Sequence, residues 1–243
     1  MKNLTKKIIA GLIVLSITLP AFSLTAEEVA VKYEENTKYD SSISTATLTI
    51  KDNLGTSIQK FKSYAAGNTD TLIEIISGPD RGQKVLRNEN SIYLFYPDAD
   101  QIIRLQGSAL KESFMGSDFS YEDLSDDNSI LKNYTPKILA ETSDTFTLLL
   151  TATSRKMAYQ MQELIIDKQH FYLKSATLMS SSGRALRSLE NSDIEEIDGY
   201  YIPKITVMKD LIKQQGSTTM ELDSIELNTK INPKTFTKEN LSW

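Results

Sequence analysis

The side chains that could carry out chemistry are concentrated in one turn just before the middle of the chain. Hydroxyl and carboxylate groups crowd this turn: Ser117, Asp118, Glu122 and Asp123. Such oxygens could hold a metal ion, but Ser120 stands three residues before Asp123. That is the spacing of a helix N-cap, whose side chains bind free backbone N–H groups. We therefore interpret the stretch as a capped turn, with a metal-binding loop as the alternative.

Few parts of an enzyme active site occur elsewhere. The chain has no cysteine and a single histidine, His170, which lies between two strand-like runs where an exposed hairpin residue is expected. Zinc sites and nucleophilic triads therefore lack components. A carboxylate pair for glycoside hydrolysis would have to come from the central turn or from Glu195 and Glu196, and their spacing does not favour one. We expect a protein that is not an enzyme and that uses no metal and no cofactor.

The elements around the turn read mostly as β-strands. From Ser42 onward the pattern has a period of two, as in Ala46, Leu48 and Ile50, which alternate with threonines. This alternation is typical of half-buried strands. About ten or eleven short strands follow one another in hairpin order. Asp198-Gly199 gives a strong two-residue hairpin signal, and a change of parity near Ser224 predicts a β-bulge.

Helices are predicted only at the start and in the middle. Thr25 and Glu28 have capping-box spacing and begin an amphipathic helix over 26–38, with Val29 and Tyr33 on its buried side. Short helices are expected within 107–131. The fold class is therefore mainly β with minor α: a curved antiparallel sheet covered by an N-terminal helix and a central helical plug. In the C-terminal tail, Phe236 and Leu241 are expected to pack across one end.

The N-terminus predicts a secretory signal peptide over residues 1–23, which leaves 24–243 as a single domain. Three lysines precede an apolar run from Ile8 to Leu19 and a small-residue end. That run falls short of the roughly 20 residues that span a bilayer as a helix. Cleavage is predicted after Ser23, with Ala26 as the alternative. No cysteine follows the run, so the chain is not expected to be lipidated itself.

The charge balance argues against a nucleic-acid partner. The net charge of the chain is −5, and without the three lysines of the leader it becomes −8. Nucleic-acid binding favours basic patches. The absence of cysteine also means that an exported form would fold without disulfides. Its hydrophobic core must therefore supply the stability.

Three stretches of the chain resemble a known family. They are residues 80–87 (DRGQKVLR), 93–97 (YLFYP) and 116–124 (GSDFSYEDL). With them, residues 42–241 resemble the outer-membrane lipoprotein-sorting proteins, which are similar to the periplasmic carrier LolA and the receptor LolB. One departure is Tyr93-x-Phe95, where family members often carry Trp-x-Tyr. The aromatic character is kept, but an indole N–H donor is lost.

The resemblance implies a half-open β-barrel closed over by helices, in the periplasm. It implies a carrier that holds acyl chains of lipids or lipoproteins in an apolar cavity on the way to the outer membrane. An inner-membrane transporter and an outer-membrane acceptor would be its partners. The alternative is an accessory module that docks on such a transporter and carries no lipid.

Several strands are apolar on both faces, so each face must be covered. One interpretation is that helices cover one face and a neighbouring loop the other. The other is that one face lines an apolar cavity, with four side chains expected in its wall: Tyr93, Phe95, Phe114 and Met115. A structural motif is expected to fix the central loop, made of Arg81, Gly82, Gly116, Asp118 and Tyr121. Within it, Arg81 and Asp118 are the predicted ion-pair partners.

Overall fold

One antiparallel sheet contains all thirteen strands found in the described part of the chain. The structure is a computed structural model that describes residues 23–67, 69–88, 91–123, 129–213 and 216–242. Except for Ser23, the predicted signal peptide lies outside the described residues. The strands are β1 (Ser41–Asp52), β2 (Gly55–Ala66), β3 (Asp70–Ser77), β4 (Lys84–Asn88), β5 (Ser91–Tyr96), β6 (Gln101–Leu105), β7 (Tyr134–Glu141), β8 (Thr145–Ala152), β9 (Met161–Asp167), β10 (Leu173–Met179), β11 (Ala185–Ile197), β12 (Tyr200–Asp210) and β13 (Ser217–Leu227).

The helices are short and few among the described residues. Two are α-helical, α1 (Ala26–Glu35) and α2 (Ile130–Asn133). Single 3₁₀ turns make up the rest: Pro97–Ala99, Gly107–Lys111, Phe114–Gly116, Pro233–Phe236 and Lys238–Ser242. The predicted fold class is confirmed, with thirteen strands in place of the ten or eleven expected.

The sheet consists of two meanders joined side by side. Strands β1 to β6 form one meander and β7 to β13 the other, and the two meet where β1 pairs with β13. The strand order therefore begins with β6 and ends with β7, and these two edges do not pair with each other. An antiparallel sheet that curls without closing is a half-open barrel.

Local signals in the sequence were reliable guides to the hairpins and the bulge. Asp198 and Gly199 both have positive φ, 51° and 84°, as a two-residue type I′ turn requires. Between β1 and β13 the register shifts after Thr45, so that Asp223 has no opposite residue on β1. The bulge predicted near Ser224 is thus confirmed one residue earlier.

The N-terminal helix has the predicted capping box. The Thr25 hydroxyl accepts from the Glu28 backbone N–H at 3.2 Å, and the Thr25 N–H donates to the Glu28 carboxylate at 2.8 Å. The helix ends at Glu35 rather than at the predicted Lys38. Val29 is fully buried on its inner face. That face covers a core built from β7 to β10.

A second core lies between the concave face of β1 to β5 and the central segment that follows β6. A third lies on the opposite face of β3 to β5, where the C-terminal tail covers the sheet. Phe236 and Leu241 of the tail are buried there, so they pack as predicted, but against a face of the sheet and not across one end. These two coverings explain why the strands of this half are apolar on both faces.

Candidate functional site

The concave face of the sheet encloses a cavity of about 620 Å³. This volume lies within the range typical of small-molecule sites. The wall is mainly apolar and comes from both meanders and from the central segment. Its principal apolar members are Ala46, Leu48, Phe61, Ile73, Phe114, Phe119, Leu150, Leu164, Ala176, Leu178, Leu189, Met208 and Leu222.

Polar side chains in the wall are mostly uncharged. Hydroxyl groups line the part formed by β1 to β3, namely those of Ser42, Ser44, Ser63 and Thr71. Tyr33 of α1 also faces the cavity; burial, and then the nearby carboxylate of Glu34, raise its pKa to about 12. The charged lining residues are Lys204 and Asp123. A hollow of this kind suits a hydrocarbon guest that makes few specific polar contacts.

The central segment, defined here as the described residues 106–123 that follow β6, lies over this cavity. Its ring cluster anchors it to the sheet: Phe114 packs edge-to-face against Phe61 at 6.4 Å and against Tyr121 at 5.8 Å between centroids. Phe114 is 2% exposed and belongs to the cavity wall. The next residues turn sharply, with Gly116 at φ 74°. A residue with no side chain adopts that conformation without strain.

Asp123 is the polar anchor of the central segment. Its carboxylate accepts from the Ser120 N–H at 2.6 Å and from the Ser120 hydroxyl at 2.8 Å, and its own N–H donates back to that hydroxyl at 3.2 Å. The capped turn predicted from the spacing is therefore confirmed. The same carboxylate accepts from the Tyr159 hydroxyl at 2.8 Å and forms an ion pair with Arg187 of β11.

Asp118 ties the segment to the junction of β12 and β13. Its carboxylate accepts from the Thr218 hydroxyl at 2.9 Å and from the Asp210 N–H at 3.3 Å, and its own N–H donates to the Thr218 oxygen at 2.9 Å. Arg81 is not part of this set; it lies on an exposed turn after β3. The predicted Arg81–Asp118 partnership is corrected: Asp118 is held by a hydroxyl and a backbone N–H.

The first two of the three stretches that carry the family resemblance, 80–87 and 93–97, are in contact. Asp80 accepts from the side-chain amides of Gln59 at 2.8 Å and Gln83 at 2.9 Å. Gly82, at φ 89°, donates its N–H to the Ile75 carbonyl at 2.8 Å. A Cβ on Gly82 would lie 3.2 Å from the ring of Pro97. The turn at residues 80–82 and the strand end at Pro97 therefore pack together.

Tyr121 links these two stretches to the central segment. It is 8% exposed. Burial, then the neighbouring Tyr96, and then the charges of Asp80 and Glu112 raise the pKa of Tyr121 to about 12. Asp118 and Tyr121 therefore fix the position of the central segment on the sheet.

The structure places only one of the four predicted lining residues in the cavity wall. Phe114 lines it, whereas Met115 packs beside it in the second core. Tyr93 and Phe95 lie on the opposite face of the sheet. There Phe95 packs with Phe236, and the ammonium of Lys238 sits 4.9 Å from the Tyr93 ring. The prediction is corrected for these two because the tail covers the face that they occupy.

Two charged residues of the site were missed from the sequence. Arg187 and Lys204 lie on β11 and β12. For Lys204 a signal was available: it stands at every second position of the strand together with Ile202, Thr206 and Met208, and Met208 is 2% exposed. Strand periodicity puts all four on one face. For Arg187 the sequence holds no comparable signal, since its partner is 64 residues away.

A curled, half-open antiparallel sheet with a covered apolar cavity defines a LolA-like fold, and solved structures share it. A DUF1329 family protein from Desulfovibrio piger has a TM-score of 0.82 at 20% identity, covering 89% of this chain and 97% of that one. An outer membrane lipoprotein-sorting protein domain from Vibrio parahaemolyticus has 0.78 at 21%, covering 90% and 98%. A LolA superfamily protein from Nitrosomonas europaea has 0.75 at 23%, covering 90% and 100%.

A family model that matches most of the sequence assigns the chain to a family. Residues 67–243 match the model of a family described as uncharacterized protein-like, so the chain belongs to that family. Comparison with curated proteins gave no match. At identities below 25%, the likeness to the solved structures establishes the fold. The resemblance to LolA-like lipoprotein-sorting proteins is confirmed at that level.

Proposed function

We propose that this protein is a carrier that binds acyl chains of lipids or lipid-modified proteins in its concave cavity. The observation that supports this most directly is the 620 Å³ hollow with its mainly apolar wall. Burying a methylene is worth roughly 0.8 kcal/mol, so a chain of about twelve gains roughly 10 kcal/mol. Association and ordering offset much of that gain. Binding without a specific polar contact is therefore feasible but reversible, as a carrier needs.

The central segment is suited to act as the movable cover. Its described residues add no strand to the sheet, and their one bridge, Ser113 to Ser120, is internal. Lifting it would break the ring contacts of Phe114 and the polar contacts of Asp118 and Asp123. All strand pairs would remain. The cavity could then open while the barrel keeps its shape.

The proposed setting is the periplasm, between an inner-membrane transporter and an outer-membrane acceptor. The predicted signal peptide and the LolA-like fold support this proposal. One of the structurally similar proteins is described as an outer membrane lipoprotein-sorting domain. No helix within the described ranges has the length and apolar character needed to cross a membrane.

A second candidate function is docking on a transporter without carrying lipid. The observation that favours it is the free edge of β6, where Ile102 and Ile103 are 37% and 45% exposed. Free edges bind extended segments of partners by adding a strand. Charged substitution of both isoleucines would abolish such docking and leave lipid binding unchanged, which separates the two functions.

The carrier proposal is tested by displacement of a fluorescent fatty-acid probe. The exported protein is expected to bind the probe and release it when lipids or lipopeptides are added. The variant Ser63→Trp places a large ring in the hollow and should reduce probe binding at least tenfold. Ser182→Trp, the same change on an exposed turn, is the control. Absence of binding by the unaltered protein, or full binding by Ser63→Trp, would contradict the proposal.

A further inference from the structure

The wall of the half-barrel is split between β12 and β13. These strands pair only from Ile205–Glu221 to Met208–Thr218. On their other sides the pairing continues: β12 pairs with β11 from Tyr200 onward, and β13 pairs with β1 as far as Leu227. Residues 200–204 and 222–227 therefore border an opening, here called the slot.

The cavity extends to this slot. Ile202, Pro203 and Lys204 line it from the β12 side, and Leu222 and Ile225 from the β13 side. The chain after α1 borders the outer end of the slot. There the rings of Tyr39 and Tyr200 meet edge-to-face at 5.7 Å between centroids.

No backbone N–H of β12 points into the slot without an acceptor at Tyr201 or Pro203. The Asn36 side chain accepts from the Tyr201 N–H at 2.9 Å and donates to the Tyr201 carbonyl at 3.0 Å. In an antiparallel ladder the N–H and C=O of one residue point to one side, and the residue two further on repeats that direction. The next such residue is Pro203, which has no N–H. The open edge is thus a stable feature of the fold rather than a frayed strand.

Lys204 is the one lysine or arginine among the described lining residues. Its ammonium lies 3.4 Å from the Glu195 carboxylate, in a loose ion pair whose side chains are 22% and 55% exposed respectively. A cation held against an apolar wall is costly unless an anion meets it. The more exposed Glu195 can yield that position to a ligand.

At the other end of the cavity the charges are already paired. Asp123 of the central segment lines the wall there and forms an ion pair with Arg187. Arg187 pairs with Asp210 in the β11–β12 ladder. Asp210 lies six residues along β12 from Lys204. Six residues of strand span roughly 20 Å. This exceeds half of a bilayer's roughly 30 Å hydrocarbon core, the depth of one leaflet's chains.

We propose that the slot binds the anionic head group of an amphiphile, a carboxylate or phosphate, whose acyl chain lies in the cavity. Lys204 binds the anion, and the chain runs along β12 toward the central segment. The inference rests on the proposed carrier function and adds the ligand's polarity and orientation. Free phosphate lacks the chain and is not the intended ligand.

The test compares two ligands with the same chain. Palmitate carries an anionic head, and monopalmitoylglycerol carries a neutral one. Lys204→Met should weaken palmitate binding about tenfold, which corresponds to about 1.4 kcal/mol, and leave monopalmitoylglycerol within about twofold. Lys204→Arg should retain palmitate binding. Lys209→Met, on the same strand but at an exposed position, is the matched control.

The outcomes separate this inference from the carrier proposal. If the unaltered protein binds neither ligand, the carrier proposal fails and this inference fails with it. If Lys204→Met loses neither ligand, or loses both equally, only the head-group site is overturned. Competition by inorganic phosphate as strong as that by palmitate would also overturn it, because the chain would then contribute nothing.

Discussion

Asp123 and Arg187 form an ion pair that joins the central segment to β11. Their side chains are 11% and 12% exposed. Asp123 also binds Ser120 and Tyr159, so its carboxylate joins the segment to β11 and to the turn before β9 at once. Removing one partner would leave a nearly buried charge without compensation, which is the costly way to break an ion pair.

We predict that Arg187→Met lowers the free energy of unfolding by about 3 kcal/mol. The control is Lys168→Met, which breaks the pair with Glu141, where the side chains are 36% and 34% exposed. Exposed pairs contribute roughly 0–1 kcal/mol. Urea denaturation of both variants measures the difference. Equal losses would show that Arg187 does not hold the segment in the way described.

At the scale of elements, α1 covers a core, and the residue that follows it binds the edge of β12 at the slot. Its inner face buries Val29 and Ala30 over β7 to β10. Just beyond its end, Asn36 takes the place of a neighbouring strand for Tyr201. A single amide side chain therefore occupies the hydrogen-bonding position that β13 leaves when it diverges from β12.

Asn36→Ala should expose that edge. We expect the Tyr201 amide to exchange with solvent at least tenfold faster, since its only described acceptor is removed. The Val207 amide lies on the same edge but where β12 pairs with β13, opposite Thr219, and should be unaffected. Hydrogen exchange measured by NMR compares the two amides in one sample. Unchanged exchange at Tyr201 would show that another group protects it.

At the scale of the molecule, two tyrosines, the half-buried Tyr33 and the buried Tyr121, make the folded state sensitive to alkaline pH. The pKa values of Tyr33 and Tyr121 are raised to about 12, first of all by burial. The unfolded chain loses these protons near pH 10, whereas the folded chain keeps them to about pH 12. The stabilisation is therefore complete below pH 10 and is lost as the pH rises from 10 to 12.

We predict that the free energy of unfolding falls across that range by roughly 2 kcal/mol for each tyrosine. The double variant Tyr33→Phe and Tyr121→Phe should flatten this part of the profile. Urea titrations at pH 9, 10, 11 and 12 measure it. A profile equally steep in the double variant would assign the alkaline loss to other groups.

The sequence predicted what depends on neighbouring residues. The capping box at Thr25, the turn at Asp198-Gly199 and the bulge beside Ser224 each arise within a few positions, and all are present. Burial on both faces was also evident. The sequence did not show which face holds the cavity. Tyr93 and Phe95 lie on the opposite face, under a tail that follows them by more than a hundred residues. The partner of Asp118 could not be predicted either, because Thr218 is 100 residues away in the sequence.

The pairing of β1 with β13 has a consequence for how the molecule is made. Ser42 pairs with Leu227, so the seam between the meanders closes only when the last strand has been synthesised. Contacts this far apart in sequence form slowly. Until then, the first half is a sheet with an unpaired border and an oily surface, a form prone to aggregation. Chaperones that hold the first half until β13 is available would suit such an order of assembly.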